Sequence, residues 1–587
     1  DTPGGQPPAP GGPDAPAGPG GIATPGGGRR AGPPPMSFEN WLFWWAYNKD
    51  RILNLKNAVK QMEAKISTDS SVPFFGGSDG GDQKERPTVT AIREQIVPAL
   101  LEVMNNKSIH ADIRGGALIA LARAAPGMEH VNTYFEVAKH KSGEDKVVQE
   151  SAIIALGILQ IQNPEIRDFL IDLVDNKDYP MRGRCFAMIS LGLLQDSDAS
   201  VFEALERRLD GSEVHQDIPV AALLTMGLIG DSKKVPDLME WVKTSRIGNS
   251  KLKDLERAWV ISAIGKTGDP QALETVAKVL RQKGRFAKRS AAIALGQITP
   301  QAEPKTQQEY VKKLVMFHQK ESDLTAKNFA LMAMGRIASA EGVTENVRKD
   351  VVSYLKREAF NGNKVSERPF AALAMGLIGF SDATPAEVKY DLGETVSSAL
   401  KPLKGDKVAL GSYAISLGMI GHKPAVGQLV KILNDRGLEK KLRGSAAMAL
   451  GLIGDNKAND AILSALKERE DRDLRVQTAV AAGLLGVSDA VGILVEILND
   501  PKASQFVLGS VALALGQIGD ANAVGPLLKI LEPGKGNGTY PDLTRALVAV
   551  ALGQLSDRRD IRVLARISED INYRASVPAL EEILTIL

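Results

Sequence analysis

One phrase, Ala-Leu-Gly-x-Ile-Gly-Asp, recurs along most of this chain and limits what it can fold into. It stands whole at Ala449–Asp455 and at Ala514–Asp520. Its first Gly is an anchor that returns at Gly157, Gly192, Gly227, Gly265, Gly296, Gly335, Gly376, Gly418, Gly451, Gly483, Gly516 and Gly553. Ala122 is a divergent first copy. From Ala122 the spacings are 35, 35, 35, 38, 31, 39, 41, 42, 33, 32, 33 and 37 residues. A period of that size belongs to a helix pair repeated along a stack. Within each unit, apolar residues fall at i, i+3, i+4 and i+7, as in Ala490–Leu498 and Leu442–Asp455, so both segments are amphipathic helices. The expected architecture is all-α: a superhelical α-solenoid of about thirteen two-helix repeats.

A Gly inside a helix costs roughly 0.5–1 kcal/mol relative to Ala. Twelve anchors carry that cost. The expected return is a backbone-close contact between repeats that a side chain would block. The following Ile-Gly-Asp reads as a Gly C-cap and an Asp that starts the next helix.

Two charge series run with the anchors. Eight residues before them stand Arg114, Arg184, Arg257, Lys288, Lys327, Arg368, Arg443, Arg475 and Arg545. Four residues after them stand Asp196, Asp231, Asp269, Asp455, Asp520 and Asp557. One reading is a ladder in which the basic residues of one repeat bond the turn carboxylates of the next. The other is a charged stripe that meets a partner.

Composition narrows the class. Apolar residues make up 44% and aromatics 5%, so Ala and Leu must build the core. Lys plus Arg is 72 against 70 Asp plus Glu, and this balance argues against nucleic acid as a partner. The single Cys185 allows no internal disulfide and reads as a small core residue. No apolar run is long enough for a transmembrane segment.

Four regions are expected. Residues 1–35, with 11 Gly and 11 Pro, form a disordered tail. Residues 36–66 form an aromatic N-terminal capping helix, 67–88 a flexible loop, and 89–587 the repeat array. Trp41, Trp44 and Trp45 share one helix face with Tyr47 nearby, and Ser37 or Asn40 serves as N-cap. This aromatic face caps the first repeat, binds a partner or meets a membrane surface. The Gly/Pro tail and the start at Asp1 agree with an exported protein, periplasmic or at the cell surface; a cytoplasmic one stays open.

The units Arg443–Asp455 and Gly509–Asp520 resemble HEAT repeats, above all the short bacterial type first described in phycobilisome lyases. The resemblance covers roughly 89–587. The segment from Trp41 to Asp50 resembles the N-terminal region of exported planctomycete-type HEAT proteins. The TPR and ankyrin signatures are missing. The resemblance implies a non-enzymatic, armadillo-like scaffold or adaptor that holds protein partners on a curved surface. Alternatives are a lyase-like or chaperone-like helper for a cofactor-bearing protein, or a self-assembling structural protein. Hydroxylase members carry paired His-Glu motifs, and this sequence has none.

The residues themselves carry no catalytic, cofactor-binding or metal-binding pattern. His110, His130, His140, His215, His318 and His422 include no pair at zinc-helix spacing. Gly265-Lys266-Thr267 ends like a phosphate loop, but Val260 replaces the Gly that such a loop requires. The long-period units between Gly296 and Gly418, with extra residues near 299–305 and 380–387, and the loop Pro533–Asp542 are either candidate binding loops or plain tolerated insertions. A rod or arc on the order of 100 Å long follows from helix spacings of ~8–10 Å.

Overall fold

The computed structural model describes residues 40–53, 86–362, 364–403, 407–468, 471–485, 488–500, 503–532, 540–559 and 563–586. The expectations for the 1–35 tail, Ser37, most of the 67–88 loop and most of the 533–542 loop lie outside these residues. Helix α1 (Trp41–Ile52) comes first, and the Asn40 side chain accepts from Leu42 N as its N-cap.

Among the described residues, thirteen helix pairs follow, outer helix first. They are α2 (Val97–Asn105) with α3 (Ala111–Ala124), α4 (Val131–Ala138) with α5 (Lys146–Leu159), and α6 (Pro164–Asp175) with α7 (Met181–Leu194). Next come α8 (Ala199–Glu206) with α9 (Asp217–Ile229), α10 (Val235–Thr244) with α11 (Asp254–Thr267), and α12 (Leu273–Val279) with α13 (Arg285–Ile298). The middle holds α14 (Pro304–Lys320) with α15 (Leu324–Ser339), α16 (Glu345–Tyr354) with α17 (Arg368–Phe380), and α18 (Ala386–Leu400) with α19 (Lys407–Ile420). The last are α20 (Val426–Asn434) with α21 (Lys440–Ile453), α22 (Asn459–Leu466) with α23 (Arg472–Leu485), α24 (Ser488–Leu498) with α25 (Gln505–Ile518), and α26 (Val524–Leu531) with α27 (Asp542–Ser556). Two short helices, α28 (Val563–Ser568) and α29 (Pro578–Ile586), end the chain. A two-residue hairpin, β1 (Arg246–Ile247) with β2 (Ser250–Lys251), links α10 to α11.

The inner helices pack in chain order, each on the next. The anchors explain the fit. An added Cβ would lie 2.8 Å from Ala333 Cα at Gly296, 2.9 Å from Ala374 Cα at Gly335, and 2.7 Å from Ala551 Cα at Gly516. Each of those alanines stands two residues before the next anchor. Helix backbones therefore touch at the anchor, and even a methyl would push them apart.

The array does not end as an open arc. Inner helix α27 packs on α3, and outer helix α26 meets α2. A Cβ on Gly553 would lie 2.5 Å from Ala120 Cα, and one on Gly116 would lie 2.8 Å from Ala546 O. Ala120 also stands two residues before its anchor, Ala122. The last repeat thus meets the first by the rule that governs every other pair, and the thirteen repeats close into a ring. The expected arc is corrected for this reason: neither end carries the polar face that an open solenoid needs.

The arginine series differs from the ladder reading as well. Arg114, Arg184 and Arg443 donate Nε to carbonyls ten residues earlier: Met104 O at 2.9 Å, Val174 O at 3.0 Å and Leu433 O at 2.7 Å. Each closes the C-terminal turn of its own outer helix. The guanidinium then reaches a carboxylate in the loop of the next repeat, Glu144 at 2.8 Å, Glu213 at 2.7 Å or Glu468 at 2.8 Å. Arg475 is buried at the same slot. The turn aspartates do other work. Asp231, Asp455 and Asp520 accept the backbone N–H of Lys233, Lys457 and Asn522 at 2.8–3.0 Å and start short 3₁₀ turns. An Arg184→Met chain should lose about 2–3 kcal/mol in urea unfolding, because the buried Val174 carbonyl loses its donor and Glu213 keeps only Arg208.

Candidate interaction surfaces

A ring of thirteen inner helices at ~9 Å spacing has a circumference of about 120 Å and an axis-to-axis diameter of about 37 Å. Subtracting one helix width of ~10 Å leaves a lumen of about 27 Å, room for two or three helices. The chain supplies them itself. Helix α1 and the segment from α28 to α29 lie inside the ring.

Tyr573 is the hub of this plug. Its ring stacks on Tyr47 at 5.6 Å and Phe43 at 6.1 Å, and meets Phe329 of α15 edge-on at 5.0 Å. Polar bonds fix the two segments to each other. Ser568 Oγ donates to Tyr47 O at 2.8 Å, and Asp570 N donates to Asn48 Oδ1 at 3.1 Å. Further bonds fix them to the ring wall. Trp259 Nε1 of α11 donates to Ala575 O at 2.8 Å, Asn572 Nδ2 to Phe286 O at 3.1 Å, and Ala579 N to Asp217 Oδ2 at 2.9 Å. Arg182 of α7 pairs with Glu582, and Arg336 of α15 with Glu569 and Asp570.

The aromatic segment therefore sits elsewhere than either sequence reading places it. Trp41, Trp44 and Tyr47 are each only 3% exposed, and Trp45 is half-buried. Trp41 lies against α19, where a Cβ on Gly411 would come within 3.0 Å of its ring. Trp44 borders a small cavity with Arg336 and Leu377. This is the middle of the array and not the first repeat. Three of the four residues offered as a partner-binding patch are core of the protein's own plug. Their contacts lie hundreds of positions away, beyond any local signal.

The long-period middle also differs from expectation. Its extra residues lengthen outer helices more than loops. Helix α14 has 17 residues and α18 has 15, against 7 in α12 and 8 in α26. The 299–305 stretch is tied down: Gln307 Nε2 donates to Ala302 O at 2.9 Å and Gly342 O at 2.8 Å, and Thr299 is buried. At 380–387, Thr384 Oγ1 donates to Ile378 O at 2.6 Å. Because α14 outruns α12, a groove of about 580 Å³ opens between them on the outside. Glu274, Lys278, Lys313 and Lys320 rim it, and Met316 is exposed in it. Phe380, Tyr390 and Leu403 are further exposed apolar side chains in the next repeats.

A buried polar cluster joins the same repeats. His318 Nδ1 bonds Tyr354 Oη at 2.8 Å, and its Nε2 lies 3.4 Å from Glu367, which also pairs with Lys327. Burial pushes His318 down to about 4, while Glu367 pulls the other way and Lys327 and Lys364 add to the fall. An unfolded chain takes up that proton nearer the ordinary histidine value of about 6.5. Stability is therefore full above that value and falls as pH drops toward 4. The loss between pH 7 and 4.5 should be on the order of 2 kcal/mol larger in the native chain than in His318→Gln. Urea unfolding at the two pH values checks this.

Among the described residues, no group of three or more His, Cys, Asp or Glu side chains could hold a metal ion. No described helix is long and apolar enough to cross a membrane. Cys185 is buried in α7, and burial raises its thiol well above the usual range.

Paired amphipathic helices, close-packed through one small-residue seam per repeat, define an α-solenoid. A family model described as HEAT repeats matches residues 459–536. No curated protein matches it. Among solved structures, human deoxyhypusine hydroxylase is 16% identical, over 55% of this chain and 96% of that one, with a TM-score of 0.22. The phycocyanin lyase complex of CpcE and CpcF from Nostoc sp. is 18% identical over 42% and 93%, with a TM-score of 0.27. Importin beta is 13% identical over 87% and 66%, with a TM-score of 0.36.

Proposed function

We propose that this protein is a non-enzymatic, protein-binding scaffold that engages partners on the outer face and rims of a closed ring. The observation that carries this reading is the occupied lumen. An open solenoid offers its concave side, but here α1 and the C-terminal segment take up a large share of that surface. What faces outward is a row of outer helices, with a groove between α12 and α14 and exposed Met316, Phe380 and Tyr390 nearby. That zone is large enough for a standard interface of about 800 Å² per partner. Mixed charge on the groove rim suits a protein surface better than nucleic acid.

The test is affinity capture with the full chain, compared with a Met316→Asp, Tyr390→Asp double variant. Partners retained by the native chain should be lost by the variant while helicity is unchanged. Equal recovery by both would place binding elsewhere. Recovery of no protein partner by the intact ring would contradict the scaffold reading.

A further inference from the structure

At one rim of the lumen, the ends of α9 and α11 face the C-terminal segment across an open bowl of about 740 Å³. Gly227, Gly265 and Gly268 are part of its lining. Lys266, Arg336 and Arg566 converge on the space, with Glu569 and Asp570 opposite. The two carboxylates are already committed. Arg336 engages both, and Arg51 adds a second cation to Glu569 at 2.6 Å. Lys266 Nζ donates to the Arg566 carbonyl at 3.2 Å. Neither Lys266 nor Arg566 forms an ion pair with a described residue.

Four cations thus surround two carboxylates at a half-buried wall. Like charges brought together outside bulk water repel, and the cost falls on whichever is least solvated. Lys266 shows the effect. Burial lowers it to about 8, Arg336 and Arg566 add to the fall, and Glu569 only partly offsets them. Arg566 is lowered by burial too. Among the described residues no further carboxylate lines the bowl, and the bowl has room for a ligand that would relieve this excess.

We propose that this bowl binds a small oxyanion-bearing ligand, held by the Lys266 ammonium and the Arg566 guanidinium. Gln297 and Gln301 on the same lining add amide donors. Lys266 belongs to the ring and Arg566 to the C-terminal segment, so an occupant would also clamp the segment in place. Phosphate esters and polycarboxylates share the required chemistry.

The experiment uses the full chain with inorganic phosphate and, separately, citrate, each against chloride at matched ionic strength. Saturable binding by calorimetry, with a rise in unfolding temperature, is expected for at least one of them. Whichever binds identifies the ligand as phosphate-like or carboxylate-like. Lys266→Gln and Arg566→Gln should each weaken it about tenfold, the loss of one charged hydrogen bond. Lys266→Arg keeps the charge and should keep binding, which separates loss of the site from misfolding. Lys49→Gln, on α1 and outside the lining of the bowl, should change nothing. No saturable binding of either anion, or equal binding by the Gln variants, would overturn the proposal.

Discussion

Gly553→Ala should destabilise this protein by about 1–3 kcal/mol, the usual cost of forcing extra volume into a packed interior. The sign is the informative part. Replacing Gly by Ala inside a helix normally stabilises it by roughly 0.5–1 kcal/mol. In an open solenoid, Gly553 would sit at a free end, and the normal gain would appear. In the ring, the new methyl would lie 2.5 Å from Ala120 Cα, which is backbone and cannot turn aside. Gly335→Ala, at an internal seam with Ala374, is the matched control and should lose a similar amount. Urea unfolding of the three chains reads the effect directly. The seam variant should also let proteases reach α3 and α27 sooner than in the control.

The second large effect concerns the plug. Tyr573→Ala should cost about 3–5 kcal/mol, the range for truncating a buried large aromatic. Tyr573 is 3% exposed and contacts rings from α1 and from the ring wall. Its loss loosens both terminal segments at once, because Phe43 and Tyr47 of α1 both stack on it. The inner seams do not involve Tyr573, so helicity of the ring should persist. Proteolysis should then remove residues 563–586 and 40–53 early while leaving the array intact. If the whole array unfolds together with the plug, ring and plug form one cooperative unit instead.

The repeat count and the role of the anchors were legible because both are local and periodic. Gly296, Gly335 and Gly516 each pay for a contact that recurs at a fixed offset, so repetition reveals it. Closure was signalled more quietly. Gly553 keeps a costly Gly at what reads as a free end, and Ala120 keeps the small residue that such a Gly requires. Both are equally compatible with an open stack, because nothing in a sequence says which end meets which. The arginines show the same limit. Their spacing was plain, but their first partner is a carbonyl ten residues back, and only helix geometry brings the two together. The aromatic segment was legible as one apolar face and not as a plug. Tyr47 and its partner Ser568 stand 521 residues apart, and no pattern in either segment names the other. For the candidate surfaces, extra residues were read as loops because insertions usually fall there. In this chain they add turns to α14 and α18, whose apolar faces can continue to pack.

Closure of the ring is the claim on which the rest depends, and one distance tests it. Asp112 and Asp542 are both exposed, at the starts of α3 and α27. Contacts between Gly116 and Ala546 and between Gly553 and Ala120 show that these helices run parallel. Spin labels on Asp112→Cys and Asp542→Cys report their separation, since Cys185 is buried and does not compete for label. With neighbouring helices ~8–10 Å apart and the labels' own reach added, a closed ring predicts one narrow distance below about 30 Å. A broad distribution beyond about 50 Å would mean the array is open, and the occupied lumen, the seam and the rim site would fall with it.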